Sequence, residues 1–177
     1  MYLCSDYLKI DIIHLKLAKM VFSATYNSPV GTIVIESDEE ALTGLRFGEE
    51  KTPTTSSLNI FDEVKRWLDD YFAGKQTENA VMGGKTDGRI IVRPKGTAFQ
   101  QCVWQALLTI PYGKTISYGE IARMEGCRSA QAVGQAVGAN PIALLIPCHR
   151  VIAAHGQLGG YEYGIEIKKR LLNIEQP

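Results

Sequence analysis

The chain has 177 residues, 45% of them hydrophobic, which suits one large globular domain or two small ones with a buried core. No stretch is long and apolar enough to span a membrane, so the sequence excludes an integral membrane protein built of helices. Its 19 basic and 19 acidic residues cancel, so the overall charge gives no sign of a nucleic-acid partner and leaves only local contact with DNA open.

Residues 1–19 are predicted to be an N-terminal appendage. Their apolar run is interrupted by five charged residues and is followed by no small-residue cleavage site, so the pattern is not that of a signal peptide. The segment is either a true appendage or an over-long start to the chain. The four cysteines contain no C-x-x-C pair and the three histidines are scattered along the chain, which predicts no metal site, no disulfide framework and a reducing, cytoplasmic location.

The first half of the chain has the pattern of a small sheet with one helix. Segments 21–27, 31–36 and 42–47 are rich in β-branched and aromatic residues and are separated by turn residues, which predicts an antiparallel sheet. A helix is predicted from Phe61 to Phe72, and Gly74 is placed to end it. Its apolar positions follow helical spacing: Phe61, Val64, Leu68 and Phe72.

A change of composition predicts a domain boundary near residue 96. Residues 75–96 are rich in glycine and charge, with one short strand candidate at 90–92, and we interpret them as a linker. The predicted organisation is an appendage over 1–19, an N-terminal α/β domain with its linker over 20–95, and a C-terminal domain over 96–177.

The second half is predicted to be mainly helical. Phe99, Val103 and Leu107 form the apolar face of one helix. Ser117 and Glu120 form a capping box that opens a second helix, for which Gly126 is a suitable C-terminal cap. A third helix over 129–138 follows a tight turn, so the last two helices resemble a helix-turn-helix.

The third predicted helix consists almost entirely of small residues. They are Ala130, Ala132, Gly134, Ala136 and Gly138. Composition alone leaves two interpretations open. The helix either packs closely against another helix or approaches a narrow surface such as the DNA minor groove.

The sequence Pro147-Cys148-His149-Arg150 lies inside an apolar segment, 143–152. A single buried cysteine or histidine is most often an inert core residue. Their clustering with an arginine instead favours a nucleophilic thiol, because cationic and hydrogen-bonding neighbours stabilise a thiolate.

The sequence Ile146-Pro147-Cys148-His149-Arg150-Val151 resembles the active-site signature of the O6-alkylguanine-DNA alkyltransferases. The resemblance is close over 96–175 and loose over 22–74. Further matching motifs follow in the expected order: Ile110-Pro111-Tyr112-Gly113, Ser117-Tyr118-Gly119-Glu120, Ala132-Val133-Gly134, Asn140-Pro141, Gly160-Tyr161 and Leu171-Leu172.

The resemblance implies an α+β fold, with a ribonuclease-H-like N-terminal sheet and helix and a C-terminal winged-helix or helix-turn-helix-like domain. It implies DNA repair by direct reversal, in which one alkyl group passes irreversibly from O6-alkylguanine in double-stranded DNA to Cys148. The base would be flipped out through the minor groove. A monomer without cofactor or metal is expected, while the range of alkyl sizes and any activity on O4-alkylthymine stay open.

The resemblance also assigns roles to individual residues. Cys148 would be the nucleophile, and His149, oriented by Glu175, would act as its base through a bridging water. Tyr118 would donate its hydroxyl proton to N3 of the departing guanine, and Asn140 would link the recognition helix to the active-site segment. The guanine pocket would be formed by Val151, Tyr161 and Glu162.

The recognition helix carries the implied DNA contacts. Ala130, Ala132 and Gly134 would allow its close approach to the minor groove. Where the family usually places an arginine that fills the gap left by the flipped base, this chain has Gln131. We hypothesise that Gln131 fills the gap and Arg128 binds phosphate.

Three rival functions are weighed against alkyl transfer. An alkyltransferase-like binding protein would lack the active-site cysteine, which is present here. A cysteine hydrolase would use Cys148 and His149 over many turnovers and would need an oxyanion loop, for which the sequence gives no sign. A helix-turn-helix regulator would explain neither the near-neutral chain nor the Pro-Cys-His-Arg cluster.

Overall fold

The structure, a computed structural model, describes residues 21–49, 58–83, 88–127 and 129–176. The predicted appendage at 1–19 and the predicted DNA contact Arg128 lie outside the described residues. Within those four ranges, no helix has both the length and the apolar character needed to cross a membrane.

Three antiparallel strands begin the fold, as predicted: β1 Phe22–Ser28, β2 Gly31–Ser37 and β3 Leu42–Phe47. Ser28 pairs with Gly31, so Pro29 and Val30 form a two-residue hairpin turn. Apolar side chains of β2 and β3, including Ile33, Ile35 and Leu45, are fully buried and form the floor of the core.

The segment interpreted as a linker contributes two further strands. These are β4 Val81–Met82 and β5 Ile91–Val92, and the sheet order is β1-β2-β3-β5-β4. Both pairings of β5 are parallel, so the sheet is mixed and not wholly antiparallel. The strand candidate at 90–92 is confirmed as β5, whereas β4 was not predicted, because a strand of two residues shows no alternation of polar and apolar side chains.

Helix α1, Asn59–Phe72, packs its apolar face toward the sheet and ends at Gly74, as predicted. Gly74 has φ +74°, and the Lys75 N–H donates to the Asp70 carbonyl at 3.0 Å, which closes the helix end. The last buried position is Tyr71 and not Phe72, which is only partly buried. The Tyr71 side chain faces the C-terminal half of the chain, where its hydroxyl contacts Glu175.

Three helices of the C-terminal half confirm the predicted helical pattern: α2 Ala98–Leu107, α3 Tyr118–Met124 and α4 Ala130–Gly138. The capping box of Ser117 and Glu120 is formed. Gly126 takes a left-handed conformation at φ +61° and ends α3. The indole N–H of Trp104 donates to the Ala136 carbonyl at 2.8 Å and holds α2 against α4.

A fifth helix, α5 Ile165–Ile174, has no counterpart among the sequence predictions. It begins after Gly164, whose φ is +93°, and buries Leu171 together with the charged Lys168. A short parallel pair, β6 Ile116–Ser117 with β7 Val151–Ile152, joins the start of α3 to the Cys-His-Arg segment.

The two halves of the chain share one buried core. The Leu45 N–H of β3 donates to the Pro141 carbonyl at 2.9 Å, and the Ala143 N–H donates back to the Leu45 carbonyl at 2.8 Å. The segment that leads to Cys148 is therefore bound to β3 through an isolated parallel bridge between Leu45 and Ile142. The domain boundary near residue 96 stays a prediction. The hydrophobic core contains residues from both sides of that position.

Candidate active site

The segment between α4 and Cys148 is held by local hydrogen bonds that leave it little freedom. Leu144 is buried at φ +66°, and the Leu145 N–H donates to the Ala143 carbonyl at 2.8 Å, a tight γ-turn that is costly for a branched residue. Two residues on, the Cys148 N–H donates to the Ile146 carbonyl at 2.8 Å. These two turns fix the position of Cys148 relative to the end of α4.

Asn140 ties the end of α4 to this segment. Its side-chain amide donates to the Ile146 carbonyl at 2.9 Å and the Ile142 carbonyl at 3.3 Å, and its oxygen accepts from the Ile142 N–H at 3.0 Å. The buried amide thus fixes the path of the chain from the helix to the cysteine.

A cavity of about 330 Å³ opens beside Cys148, a size within the range of small-molecule pockets. The Cys148 residue is 6% exposed. Along the wall formed by α4, a Cβ on Gly134 would lie 3.8 Å from the Tyr118 ring, which is van der Waals contact, so the glycine leaves this part of the cavity open. The lining residues are Tyr118, Gly134, Val137, Gly138, Asn140, Cys148, Gly160, Tyr161, Glu162 and Tyr163.

The aromatic lining of the cavity carries hydroxyl groups close to the thiol. Burial and the proximity of Cys148 raise the pKa of Tyr118, which keeps its hydroxyl protonated. Burial and the neighbouring Cys148 thiol also raise the pKa of Tyr161 well above its ordinary value. Gly159, at φ +67°, lies so close that a Cβ there would be 3.2 Å from the Tyr118 ring. Both tyrosines therefore offer the cavity a protonated hydroxyl.

The Cys148 thiol is protonated in the resting protein. Burial raises its pKa, although the Asn140 side chain and the charge of Lys168 act in the opposite direction. A thiol is a poor nucleophile, so the reaction of Cys148 needs a group that takes its proton.

His149, next in the chain, has the geometry of such a base. It is fully buried, and burial lowers its pKa, so the ring is neutral at neutral pH. Its Nε2 lies 2.6 Å from Oε1 of Glu175. Because a carboxylate can only accept, Nε2 carries the hydrogen and Nδ1 keeps its lone pair. No described residue hydrogen-bonds this buried Nδ1.

Glu175 is ionised and surrounded by donors. Burial alone raises its pKa, but the hydrogen bonds of His149 and Arg150 and the charge of Arg150 outweigh that effect, and the pKa is lowered to about 2. The Arg150 Nε donates to Oε2 at 2.9 Å, and the Gly113 N–H donates to Oε2 at 3.0 Å. The Tyr71 hydroxyl donates to Oε1 at 3.0 Å. The carboxylate is therefore held in one orientation toward His149.

Arg150 is a fully buried cation whose donors are occupied by both halves of the chain. Besides Glu175, its Nη1 donates to Oδ1 of Asn79 at 2.7 Å and to the Ile110 carbonyl at 2.7 Å. Asn79 in turn donates to the Leu108 and Ile110 carbonyls. Arg150 is thus a structural cation that fixes Glu175.

Lys168, on α5, is a second buried cation near the thiol. Burial lowers its pKa to about 8, while Cys148 acts to raise it. Its ammonium group donates to three carbonyl oxygens, of Val151, Leu158 and Gly160. It therefore holds the loop that forms one wall of the cavity.

The structure brings some of the predicted site residues together and separates others. Cys148, Tyr118, Asn140, Gly134, Tyr161 and Glu162 line one cavity, with His149 and Glu175 behind the thiol. Val151 is buried outside the lining, and its carbonyl already accepts from Lys168. Gln131, Ala130 and Ala132 lie outside the cavity on the accessible side of α4. In the described ranges, no cluster of three or more metal-ligating side chains is found.

Four residues of the site were missed by the sequence predictions: Tyr71, Asn79, Tyr163 and Lys168. Tyr71 lies in a motif, Tyr71-Phe72-Ala73-Gly74, that carries the loose part of the resemblance, and this was its only signal. Lys168 could be predicted from the sequence only if α5 were recognised as an amphipathic helix. Its place on the buried face would then indicate that the ammonium group needs carbonyl partners.

Two family models match the chain. The "6-O-methylguanine DNA methyltransferase, ribonuclease-like domain" matches residues 21–81, and the "6-O-methylguanine DNA methyltransferase, DNA binding domain" matches residues 98–177. A protein of Methanosarcina acetivorans named methylated-DNA–protein-cysteine methyltransferase is 41% identical over 162 residues, which cover 88% of this chain and 98% of that protein. One of the same name from Haemophilus influenzae is 39% identical, over 85% of this chain and 84% of that protein.

Comparison with solved structures points to the same family. The crystal structure of Mycobacterium tuberculosis O6-methylguanine methyltransferase superposes with a TM-score of 0.75 at 43% identity, covering 88% of this chain and 93% of that one. A structure of the M. tuberculosis protein in complex with DNA also gives a TM-score of 0.75, at 44% identity, over 87% of this chain and 92% of that one.

Proposed function

Because this chain belongs to the 6-O-methylguanine DNA methyltransferase family, we propose that Cys148 accepts the alkyl group from O6-alkylguanine in DNA. DNA repair by alkyl transfer is the function of the chain. The observation that carries the assignment to Cys148 is its position at the wall of a 330 Å³ cavity, with a neutral histidine and an ionised glutamate directly behind it.

Proton transfer starts the proposed reaction. The thiol is protonated and Nδ1 of His149 is an unpaired acceptor, so a water between them would carry the thiol proton to the imidazole. The imidazolium that forms is stabilised by Glu175, whose carboxylate stays ionised at neutral pH. Cys148 then attacks as a thiolate.

Alkyl transfer follows in one displacement. The sulfur forms a bond to the alkyl carbon as the bond from that carbon to O6 breaks, and the electron pair passes to guanine. The Tyr118 hydroxyl is a protonated donor on the cavity wall and supplies the proton to N3 of the departing base. The proton taken up by His149 returns to Tyr118 through water. A thioether has no good leaving group, so each molecule reacts once.

The substrate base must leave the duplex to reach this cavity. The cavity is walled on one side by Gly134 and Gly138 of α4, and the helix presents small residues that allow close approach to the minor groove. The proposed activity requires DNA and a reduced thiol, both of which a cytoplasmic location provides.

A mass measurement tests the proposal. The intact protein, incubated with excess duplex DNA that contains one O6-methylguanine, is expected to gain the mass of one methylene group and no more. A cysteine hydrolase would instead release product repeatedly without a stable adduct, and a binding protein or regulator would stay unmodified. Absence of the adduct in fully reduced protein would overturn the assignment.

Gln131→Ala is expected to weaken binding to duplex DNA with O6-methylguanine about tenfold, the equivalent of one or two hydrogen bonds. Gln131 is exposed on the first turn of α4 and shares a helical face with Gly134 and Gly138 of the cavity. The measurement is the Kd for duplex against single-stranded DNA, since only the duplex leaves a gap to fill.

Two further variants control this prediction. Gln105→Ala removes an exposed glutamine of α2 and should change neither affinity. Arg128→Ala should lower the salt dependence of binding by about one phosphate contact if Arg128 binds phosphate. Equal loss of duplex and single-strand affinity in Gln131→Ala would contradict gap filling.

Tyr163→Ala is expected to speed transfer from O6-benzylguanine in duplex DNA by about tenfold, with little change for O6-methylguanine. Tyr163 lines the cavity and packs edge-on against Phe47 of β3 at 5.1 Å and against Tyr161 at 5.5 Å between ring centroids. Burial, with Cys148 and Glu162 nearby, raises its pKa to about 12. Single-turnover rates on the two substrates check the prediction, and an equal change in both would contradict a limit on alkyl size.

A further inference from the structure

Tyr71 brings a hydroxyl from the N-terminal half into the charge network behind Cys148. The side chain is fully buried at the end of α1. Its hydroxyl oxygen lies 3.0 Å from Oε1 of Glu175 and 3.3 Å from Nε2 of His149. Its ring meets the imidazole edge-on, with centroids 6.2 Å apart and planes at 81°. Of the described side chains, only that of Tyr71 lies within hydrogen-bonding distance of both His149 and Glu175.

The position of this hydroxyl bears on which imidazole nitrogen carries the hydrogen. If Tyr71 donated to Nε2, the hydrogen of His149 would sit on Nδ1 and the ring could not accept a proton from the thiol. Donation to Glu175 instead leaves Nε2–H directed at the carboxylate 2.6 Å away. The shorter distance from Tyr71 to Glu175 favours this second arrangement.

Tyr71 also restrains the two groups mechanically. Edge-on contact with the imidazole limits rotation of the ring, while the hydrogen bond limits rotation of the carboxylate. The hydroxyl itself stays protonated, because burial and the charge of Glu175 raise the pKa of Tyr71 far above its usual range. It therefore acts as a donor at every pH at which the protein is folded.

We propose that Tyr71 is a positioning residue for alkyl transfer, whose hydroxyl holds Glu175 and His149 in the arrangement that leaves Nδ1 free to take the thiol proton. The inference rests on the proposed function of Cys148 and His149. Through this hydroxyl group, the N-terminal half would influence the chemistry at Cys148 indirectly, by orienting Glu175 and His149.

Tyr71→Phe tests the proposal because it removes the hydroxyl and keeps the ring. The single-turnover rate of methyl transfer at saturating DNA is expected to fall about tenfold, as for other groups that orient a reacting residue, with Kd for DNA unchanged. The charged or titratable groups around His149 are Glu175, Arg150, Lys168, Cys148 and Tyr71.

The pH profile separates positioning from mere stability. With one donor fewer, Glu175 becomes a stronger acceptor for the imidazole and favours its charged form. The acidic limb of the rate profile should therefore move to higher pH in Tyr71→Phe. Tyr26→Phe is the matched control, because it also removes a tyrosine hydroxyl that donates to a carboxylate of α1, Asp69 at 2.8 Å, and should keep the original rate and profile.

A measurement without DNA keeps the proposal testable if Tyr71→Phe does not fold. Nitrogen-15 spectra of the protein with His14 and His155 replaced by asparagine should show His149 protonated on Nε2 alone. Hydrogen on Nδ1 would overturn the proposal, as would a Tyr71→Phe variant with the original rate or an unshifted profile. Failure of the unaltered protein to accept a methyl group would overturn the proposed function instead.

Discussion

Cys148→Ser is expected to abolish methyl transfer, with a loss of at least about 10⁴-fold in single-turnover rate. A serine hydroxyl is a far weaker acid than a thiol, so the proton path through His149 cannot generate its anion at neutral pH. The site gives no compensation, because burial already raises the pKa even of the thiol. Intact mass after incubation with O6-methylguanine duplex, over a time course, measures the effect.

The other described thiols provide the controls. Cys102 is exposed on α2, and Cys127 is partly exposed in the turn after α3. Neither lines the cavity. Cys102→Ser and Cys127→Ser should both accept one methyl group at the original rate. A methylene adduct on Cys148→Ser, or an adduct mapped by peptide mass to another cysteine, would contradict the assignment.

Arg150→Met is expected to lower the free energy of unfolding by about 3–5 kcal/mol, the largest stability effect anticipated in the chain. The substitution leaves Glu175 as a buried carboxylate without its cation and deprives Asn79 and the Ile110 carbonyl of a donor. Methionine fills much of the vacated volume, so the loss reflects charge and hydrogen bonding and not a cavity. Urea denaturation at pH 7 measures it.

A surface arginine offers the matched control. Arg46 pairs with Glu36, and the two side chains are 39% and 33% exposed, so Arg46→Met should cost at most about 1 kcal/mol. An equal loss in the two variants would contradict the special role of the buried pair.

The effect of Arg150→Met should also depend on pH. The folded pKa of Glu175 is about 2, below its ordinary value of 4.5. Ionised Glu175 therefore stabilises the fold above pH 4.5 by about 3 kcal/mol, and this contribution is lost as the pH falls through 2. In Arg150→Met the pKa lies closer to 4.5, so the difference between the two proteins should narrow on acidification. A constant difference would mean that Arg150 stabilises the fold through its hydrogen bonds to Asn79 and Ile110 and through packing, and not through the charge of Glu175.

Much of the fold could be predicted from the sequence because its signals are local. Capping residues, strand-forming residues and turn glycines act within a few positions of one another, so the first three strands and the helices up to α4 lie close to their predicted bounds. Strand β5 was found as a short candidate at 90–92, while the two-residue strand β4 carries no periodicity and was not predicted. Helix α5 was missed because its buried face includes Lys168, a residue that pattern analysis assigns to the surface.

The residues of the candidate site also fall into two groups, those with a local signal in the sequence and those without one. Cys148, His149 and Arg150 are adjacent in the chain, so their motif identified them. Tyr71 is 78 positions from His149, and only the packing of α1 against the C-terminal half brings their side chains into contact. The likeness to a known family supplied Glu175 and Tyr118 as candidates, which composition and spacing would not have done.

The hydrogen bonds between Leu45 and the chain at 141–143 make local order at Cys148 inseparable from the integrity of the sheet. A C-terminal fragment cut near residue 96 would lose both Tyr71 and Asn79, and Glu175 and Arg150 would face solvent or each other without these partners. Destabilising substitutions in the sheet would thus reduce repair capacity by raising the population of partly opened molecules. A substitution in the first half of the chain would therefore change the rate at which Cys148, in the second half, accepts an alkyl group.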